Sequence, residues 1–294
     1  MSQINESWPS ARIFEVPNSC KNGGTSMPGS PNPLTEMGNL DKVIVSKDER
    51  PNSSFTETAL PGFKKALQGR RAVRKFDGAP IPEEVVRDCL RDAILAPSAS
   101  NLQSYELYWV RVEAKKKELA RLCLDQPGAT TAGDLFVVVS RVDLWRSHLD
   151  KMMSIMTDNG RKPLEGPIKD YYETIVPMVM RTDRLGFHNL MRRIVFWYKS
   201  RSEPTPREPV SRADHRIYGH VQASLAAENL MLSLAAHGYE SCPMSGVDKR
   251  GIGALLGLPA TAEVTMVICA GTGKPEGLLS PRARLPFGDL VKEV

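Results

Sequence analysis

The sequence has no Cys-x-x-Cys pair, no apolar run of about eighteen residues and no block of Lys and Arg interleaved with stacking aromatics. The first absence removes the common zinc and thiol-redox patterns. The second removes a membrane-spanning helix, and no apolar core of a secretory signal opens the chain. The third removes the usual platform for single-stranded nucleic acid. Aromatic residues make up only 6%, and the net charge of +5 comes from 39 basic and 34 acidic residues spread along the chain rather than gathered in a tail. The five cysteines, Cys20, Cys89, Cys123, Cys242 and Cys269, are odd in number and widely spaced. They indicate a reducing, cytoplasmic setting rather than a disulfide framework. The five histidines, His148, His188, His215, His220 and His237, show no ligand spacing, so no metal site is expected. Gly271-Thr272-Gly273 lacks a third glycine and a following helix, and is not a dinucleotide fingerprint.

What is present is a core-sized apolar fraction, 41% of 294 residues, enough for one large domain. Residues 1 to about 55 are rich in Ser, Asn, Pro and Gly without apolar period, which predicts a flexible arm; Met37 is a second candidate start. The domain is expected over 56–294. A helix near Thr58 presents Leu60, Phe63 and Leu67 and leads into Arg70-Arg71-Ala72-Val73-Arg74-Lys75-Phe76. A second helix opens at Pro82-Glu83-Glu84, buries Val85, Val86, Cys89 and Leu90, and stops at Pro97. The polar loop Ser98–Ser104 precedes a strand expected at 107–112. A helix at 115–124 and a strand at 135–139 follow. From about 141 to 216 the rhythm breaks into helical stretches, one expected from Ile175 to Tyr198, and a Pro-rich segment; an insertion of this length suits a lid, a binding surface or an interface. A long helix over 221–236 is apolar nearly all round, and Gly238 caps its end. A loop Cys242–Asp248, an apolar strand at 264–270 and a second run, Pro281-Arg282-Ala283-Arg284-Leu285-Pro286-Phe287, complete the chain.

Guanidinium groups pair bidentately with phosphate oxygens, so two Arg runs at opposite ends of one globular region suit a phosphorylated ligand. Either run alone also fits a solvated surface. Cys89, Cys123 and Cys269 fall on apolar faces and read as small buried hydrophobes; Cys242 has no cation beside it in sequence to activate it.

Taken in order, Arg-Arg-x-Val-Arg-x-Phe, Pro-Ile-Pro-Glu-Glu, Ala-Pro-Ser-Ala-Ser-Asn-x-Gln, Cys-Pro-Met-x-Gly-x-Asp after an Ala-rich helix, and Arg-x-Arg-x-Pro-Phe make the chain resemble the FMN-dependent nitroreductase family over about 58–140 and 217–294. The resemblance implies an α+β sandwich, a mainly antiparallel sheet flanked by helices, in an intertwined homodimer with FMN at the subunit interface. It implies NADH or NADPH as donor and a small electron-poor acceptor, such as a nitroaromatic or quinone, in a ping-pong cycle that needs no protein nucleophile. It further implies that Arg70 and Arg284 hold the phosphate, with Arg282 assisting, and that Arg71 and Arg74 lie beside the flavin, with Ala72 where a serine is usual. Pro97, Ser98, Ala99, Asn101 and Gln103 would reach the ring from the neighbouring subunit, and Pro243, Met244, Ser245 and Gly246 would lie along its other side. Ser245 stands in place of a common acid, and Ser104-Tyr105 in place of Pro-Trp. A reductase, dehalogenase or dehydrogenase dedicated to one metabolite, and a non-catalytic flavin-binding interaction protein, are the alternatives on the same scaffold.

Overall fold

The computed structural model describes residues 55–182 and 186–294, so the expected N-terminal arm, Phe55 apart, lies outside the described residues. The chain begins with α1 (Phe55–Gly69), α2 (Glu83–Ala93), β1 (Tyr105–Val110), α3 (Glu113–Leu122), α4 (Pro127–Thr131) and β2 (Asp134–Ser140). Then come α5 (Trp145–Met156), α6 (Gly166–Asp170), α7 (Val176–Met180), α8 (Phe187–Lys199) and α9 (Arg212–Ala236). β3 (Glu240–Met244), α10 (Lys249–Leu256), β4 (Glu263–Gly271) and α11 (Phe287–Leu290) close it. The four strands form one antiparallel sheet in the order β1-β2-β4-β3, which makes the fold α+β as expected.

Alternation along the strands sends side chains to two opposite cores. Leu135, Val137 and Val139 of β2, with Val267 and Cys269 of β4, pack with Leu119 and Leu122 of α3 and Ile252 of α10. Phe136, Val138 and Ile268 pack with Val86, Cys89 and Ala93 of α2 and with Ala223, Ala226, Ala227, Leu230 and Leu234 of α9. Every residue of β2 is buried, because helices cover both of its faces. α9 approaches that strand closely at Gly219, where an added Cβ would meet Ser140 Oγ at 2.2 Å.

Several boundaries differ from the sequence reading. The strand expected at 107–112 occupies 105–110, and Val112 instead serves as the N-cap of α3, which ends at Leu122. The long helix begins at Arg212 rather than 221. A capping box starts it: Ser211 Oγ accepts from Asp214 N at 3.1 Å, and Asp214 Oδ2 accepts from Ser211 N at 2.8 Å. The last residues of the expected insertion therefore belong to α9. The helix expected from Ile175 to Tyr198 is broken, because Arg181 is extended and Gly186 is left-handed with φ 79°. A π-helical turn, Tyr171–Ile175, precedes α7. Cys242 to Met244, expected in a loop, form the end of β3.

Candidate functional site

The two arginine runs meet. α1 delivers Arg70, and Val73 and Phe76 anchor the first run in the core, with 3% and 1% of their surface exposed. That run lies along the outer edge of β3: Ala72 bridges Ser241 in parallel fashion and Val73 N donates to Ser241 O at 3.2 Å. The C-terminal tail is sewn to its other side. Arg74 N donates to Gly277 O at 2.9 Å and Lys274 N to Lys75 O at 2.8 Å. Gly277 permits the approach, since a Cβ there would sit 2.7 Å from Lys75 N. Sequence reading missed Gly277, whose role depends on a neighbour two hundred residues away.

Between run and tail lies a cleft of about 220 Å³ lined by Arg70, Arg71, Ala72, Arg74, Arg282 and Arg284 together with Leu279–Pro281 and Ala283. Among the described residues, five guanidinium groups and no carboxylate line it. Glu228 of α9 stands outside, 3.8 Å from Arg70 Nε. Three of the five are partly committed to backbone: Arg71 donates to Ser280 O at 2.6 Å, Arg282 to Gln68 O at 2.6 Å and Arg70 O at 2.7 Å, and Arg284 to the adjacent Ala283 O at 2.7 Å. Loss of solvent, followed by the charges of Arg284, Arg71 and Arg70, holds the Arg282 guanidinium below its ordinary range. Like charges gathered this way repel, and a bound anion relieves the repulsion.

Next to this cleft, Pro243 is exposed while Met244 is buried, because successive residues of β3 point to opposite faces. Met244 Sδ lies 3.9 Å from Cys269 Sγ, so its side chain belongs to the core. Ser245 and Gly246 are exposed, and Gly246 O accepts from Gln126 Nε2 at 3.2 Å. Cys242, without a cation beside it in sequence, has Arg74 and Arg70 near it in space. Burial nonetheless dominates and pushes its thiol up.

Pro97, Ser98, Ala99, Asn101 and Gln103 lie elsewhere, in the turn that enters β1. Three non-glycine residues there are left-handed, with φ 53° at Ser100, 52° at Asn101 and 47° at Gln103. Such conformations persist where surroundings hold them. Ser98 Oγ accepts from Gln103 N at 3.0 Å, and Ser98 O from Asn101 N at 2.9 Å. The insertion supplies the rest. Tyr171 OH is 2.7 Å from Ser100 Oγ, His148 Nδ1 is 2.9 Å from Leu102 O, and Gln103 Nε2 is 3.5 Å from Met152 Sδ. Leu102 is fully buried among Leu149, Val176 and Met180, and Tyr218 OH of α9 donates to Ala99 O at 3.2 Å. These buttressing residues carried no motif, and only their three-dimensional convergence identifies them.

The turn and the arginine cleft occupy diagonal corners of the sheet. Tyr105 pairs across to Ser140 and on to Glu263, whereas Ala72 pairs to Ser241 and on to Ala270. Four strand spacings and seven residues of strand separate them, on the order of 25–30 Å. Within one chain the two sets of candidate residues do not converge.

The family model described as the nitroreductase family matches residues 67–272. A Thermus thermophilus protein named NADH dehydrogenase is 27% identical over 80% of this chain and 98% of its own. YdgI of Bacillus subtilis, named as a candidate NAD(P)H nitroreductase, is 27% identical over 78% of this chain and 96% of its own. A protein of Exiguobacterium sibiricum, solved in complex with FMN, superposes with a TM-score of 0.57 at 22% identity, covering 79% of this chain and 97% of that one.

Proposed function

The chain belongs to the nitroreductase family, and from that premise we propose that it is an FMN-dependent NAD(P)H oxidoreductase acting on nitroaromatic, quinone or similar electron-poor acceptors. The observation that carries this reading is the cleft of five arginines without a lining carboxylate, which suits a phosphate monoester. Arg70, Arg74 and Arg284 would hold the phosphate. Arg71 and Arg282 would brace the walls through their carbonyl contacts while adding positive potential. FMN, when bound, supplies hydride transfer from the nicotinamide and then to the acceptor, in a ping-pong order. Pro243 to Gly246 follow Ser241, which pairs with Ala72 of the cleft wall, and would flank the ring. A positive field there favours developing negative charge on it.

The separation of the cleft from the turn 97–103 supports a homodimer in which each turn serves the cleft of the other copy. Exposed apolar side chains are available for such an interface: Leu60, Phe63 and Leu67 on α1, Ile217 and Val221 on α9, and Phe287 and Leu290 on α11. Among the described residues no helix is long and apolar enough to cross a membrane.

An anaerobic visible spectrum of the purified protein, before and after NADPH, tests the reading. Flavin bands that bleach are expected; no flavin even after soaking with FMN would overturn it. Arg70→Ala and Arg284→Ala are each expected to weaken FMN binding tenfold or more, about 1.4 kcal/mol, with the fold and the dimer unaltered. Unchanged affinity in both variants would refute the phosphate assignment.

A further inference from the structure

The insertion carries a second cavity that the arginine cleft does not explain. A groove of about 590 Å³ lies between α7 and α8. Ile175, Pro177, Met178, Met191, Val195 and Phe196 give it apolar walls. Met178, Met191 and Val195 are 44%, 54% and 43% exposed along it.

The polar lining is of one sign. Arg146 of α5, Arg181 beyond α7 and Lys199 at the end of α8 rim the groove, His188 and Arg192 are basic as well, and among the described residues no Asp or Glu lines it. Arg192 is already committed, donating to Met178 O at 3.0 Å, to Val179 O and to Asn189 Oδ1 at 2.8 Å. Among the described residues Arg146, Arg181 and Lys199 form no ion pair, although Arg87, Arg111, Arg121, Arg141 and Arg216 each have a carboxylate partner. Arg146 stands over the ring of its neighbour Trp145, at 5.8 Å.

An apolar trough with unpaired cations at its rim complements a molecule that is apolar along its length and anionic at one end. It is a poor self-association surface, because a two-fold contact would set one basic rim against another. We propose that this groove binds an amphipathic carboxylate, with the alkyl or aryl body along Met178, Met191 and Val195 and the carboxylate held by the Arg146, Arg181 and Lys199 side chains. The site is separate from the arginine cleft and does not depend on the flavin reading.

Calorimetric titration of monomeric decanoate into the full-chain protein tests it, with 1-decanol as the neutral counterpart. Saturable binding of decanoate, one per chain, is expected with Kd below about 100 µM, and at least tenfold weaker binding of decanol. Arg146→Ala/Arg181→Ala should weaken decanoate tenfold or more and leave decanol unchanged. Val195→Trp, which fills the trough from the apolar side, should weaken both, so one misfolded variant does not remove the test. Thermal melting and FMN retention report whether each variant is folded. Absence of saturable binding, equal affinity for decanoate and decanol, or full decanoate affinity in both folded variants would overturn the proposal. So would co-sedimentation with anionic phospholipid vesicles without uptake of monomeric decanoate, which would assign the patch to a lipid surface.

Discussion

Cys89, Cys123, Cys242 and Cys269 are all buried, and burial raises each thiol above its ordinary value, Cys123 to about 11. The thiolate is the reactive form, so these side chains are nearly all protonated at neutral pH. For Cys123 the sign is that of an acid held neutral: the folded state loses this advantage only as pH rises from the unfolded thiol's range through about 11. A disulfide reagent at pH 8 is accordingly expected to leave all four unmodified in the native protein and to label them on denaturation. Rapid native labelling of Cys242 would show that Arg70 and Arg74 outweigh its burial. The cysteines read as core residues from their apolar neighbours, and three of them could be assigned that way because burial follows local pattern. The electrostatics of Cys242 could not, since its cations arrive from another segment.

At the scale of the element, α9 shows where pattern reading stops short. Its apolar stretch was legible, but the nine residues before it carry a polar face, and the start lies in a capping box in which Asp214 fills the place more often held by Glu or Gln. Hydrogen bonds from Val210, helped by Ser211, hold the Asp214 carboxyl below its ordinary range. This contribution is present above the unfolded carboxyl's pKa and lost as pH falls through the depressed one. Ser211→Ala should cost about 1 kcal/mol in chemical denaturation. Asp214→Asn should flatten the acid limb of the stability profile, and an unaltered limb would assign that limb to other groups. The turn 97–103 was legible as a loop of small residues. Its support was not, because Tyr171, His148 and Met152 are ordinary residues made relevant by the π turn and by α5.

At the scale of the whole molecule, the motifs were legible because several of them occur together in the order of one family, whose model matches residues 67–272. The antiparallel character of the sheet followed from family resemblance more than from periodicity, which marked three of its four strands and left β3 as part of a loop. Residue patterns could not reveal that the turn and the arginine cleft lie at opposite corners, since that depends on strand order. If two copies complete each other's site, Val221→Glu, on an exposed face of α9, is expected to shift the protein towards monomer in sedimentation velocity and to weaken FMN binding with it. A monomeric variant that keeps full FMN affinity would mean that one chain suffices.

The stitching of the first arginine run to the tail also sets a timetable. Arg74 and Arg284 are separated by 210 residues of chain, which at about 5–20 residues per second takes the ribosome roughly 10–40 s to make. Until the tail is made, the side of the first run that faces away from Ser241 has no partner, because its bonds there go to Lys274 and Gly277. The arginine cleft is therefore among the last features to assemble, and on the function proposed above a chain stopped before Gly277 is expected not to retain a phosphorylated cofactor, however complete its sheet.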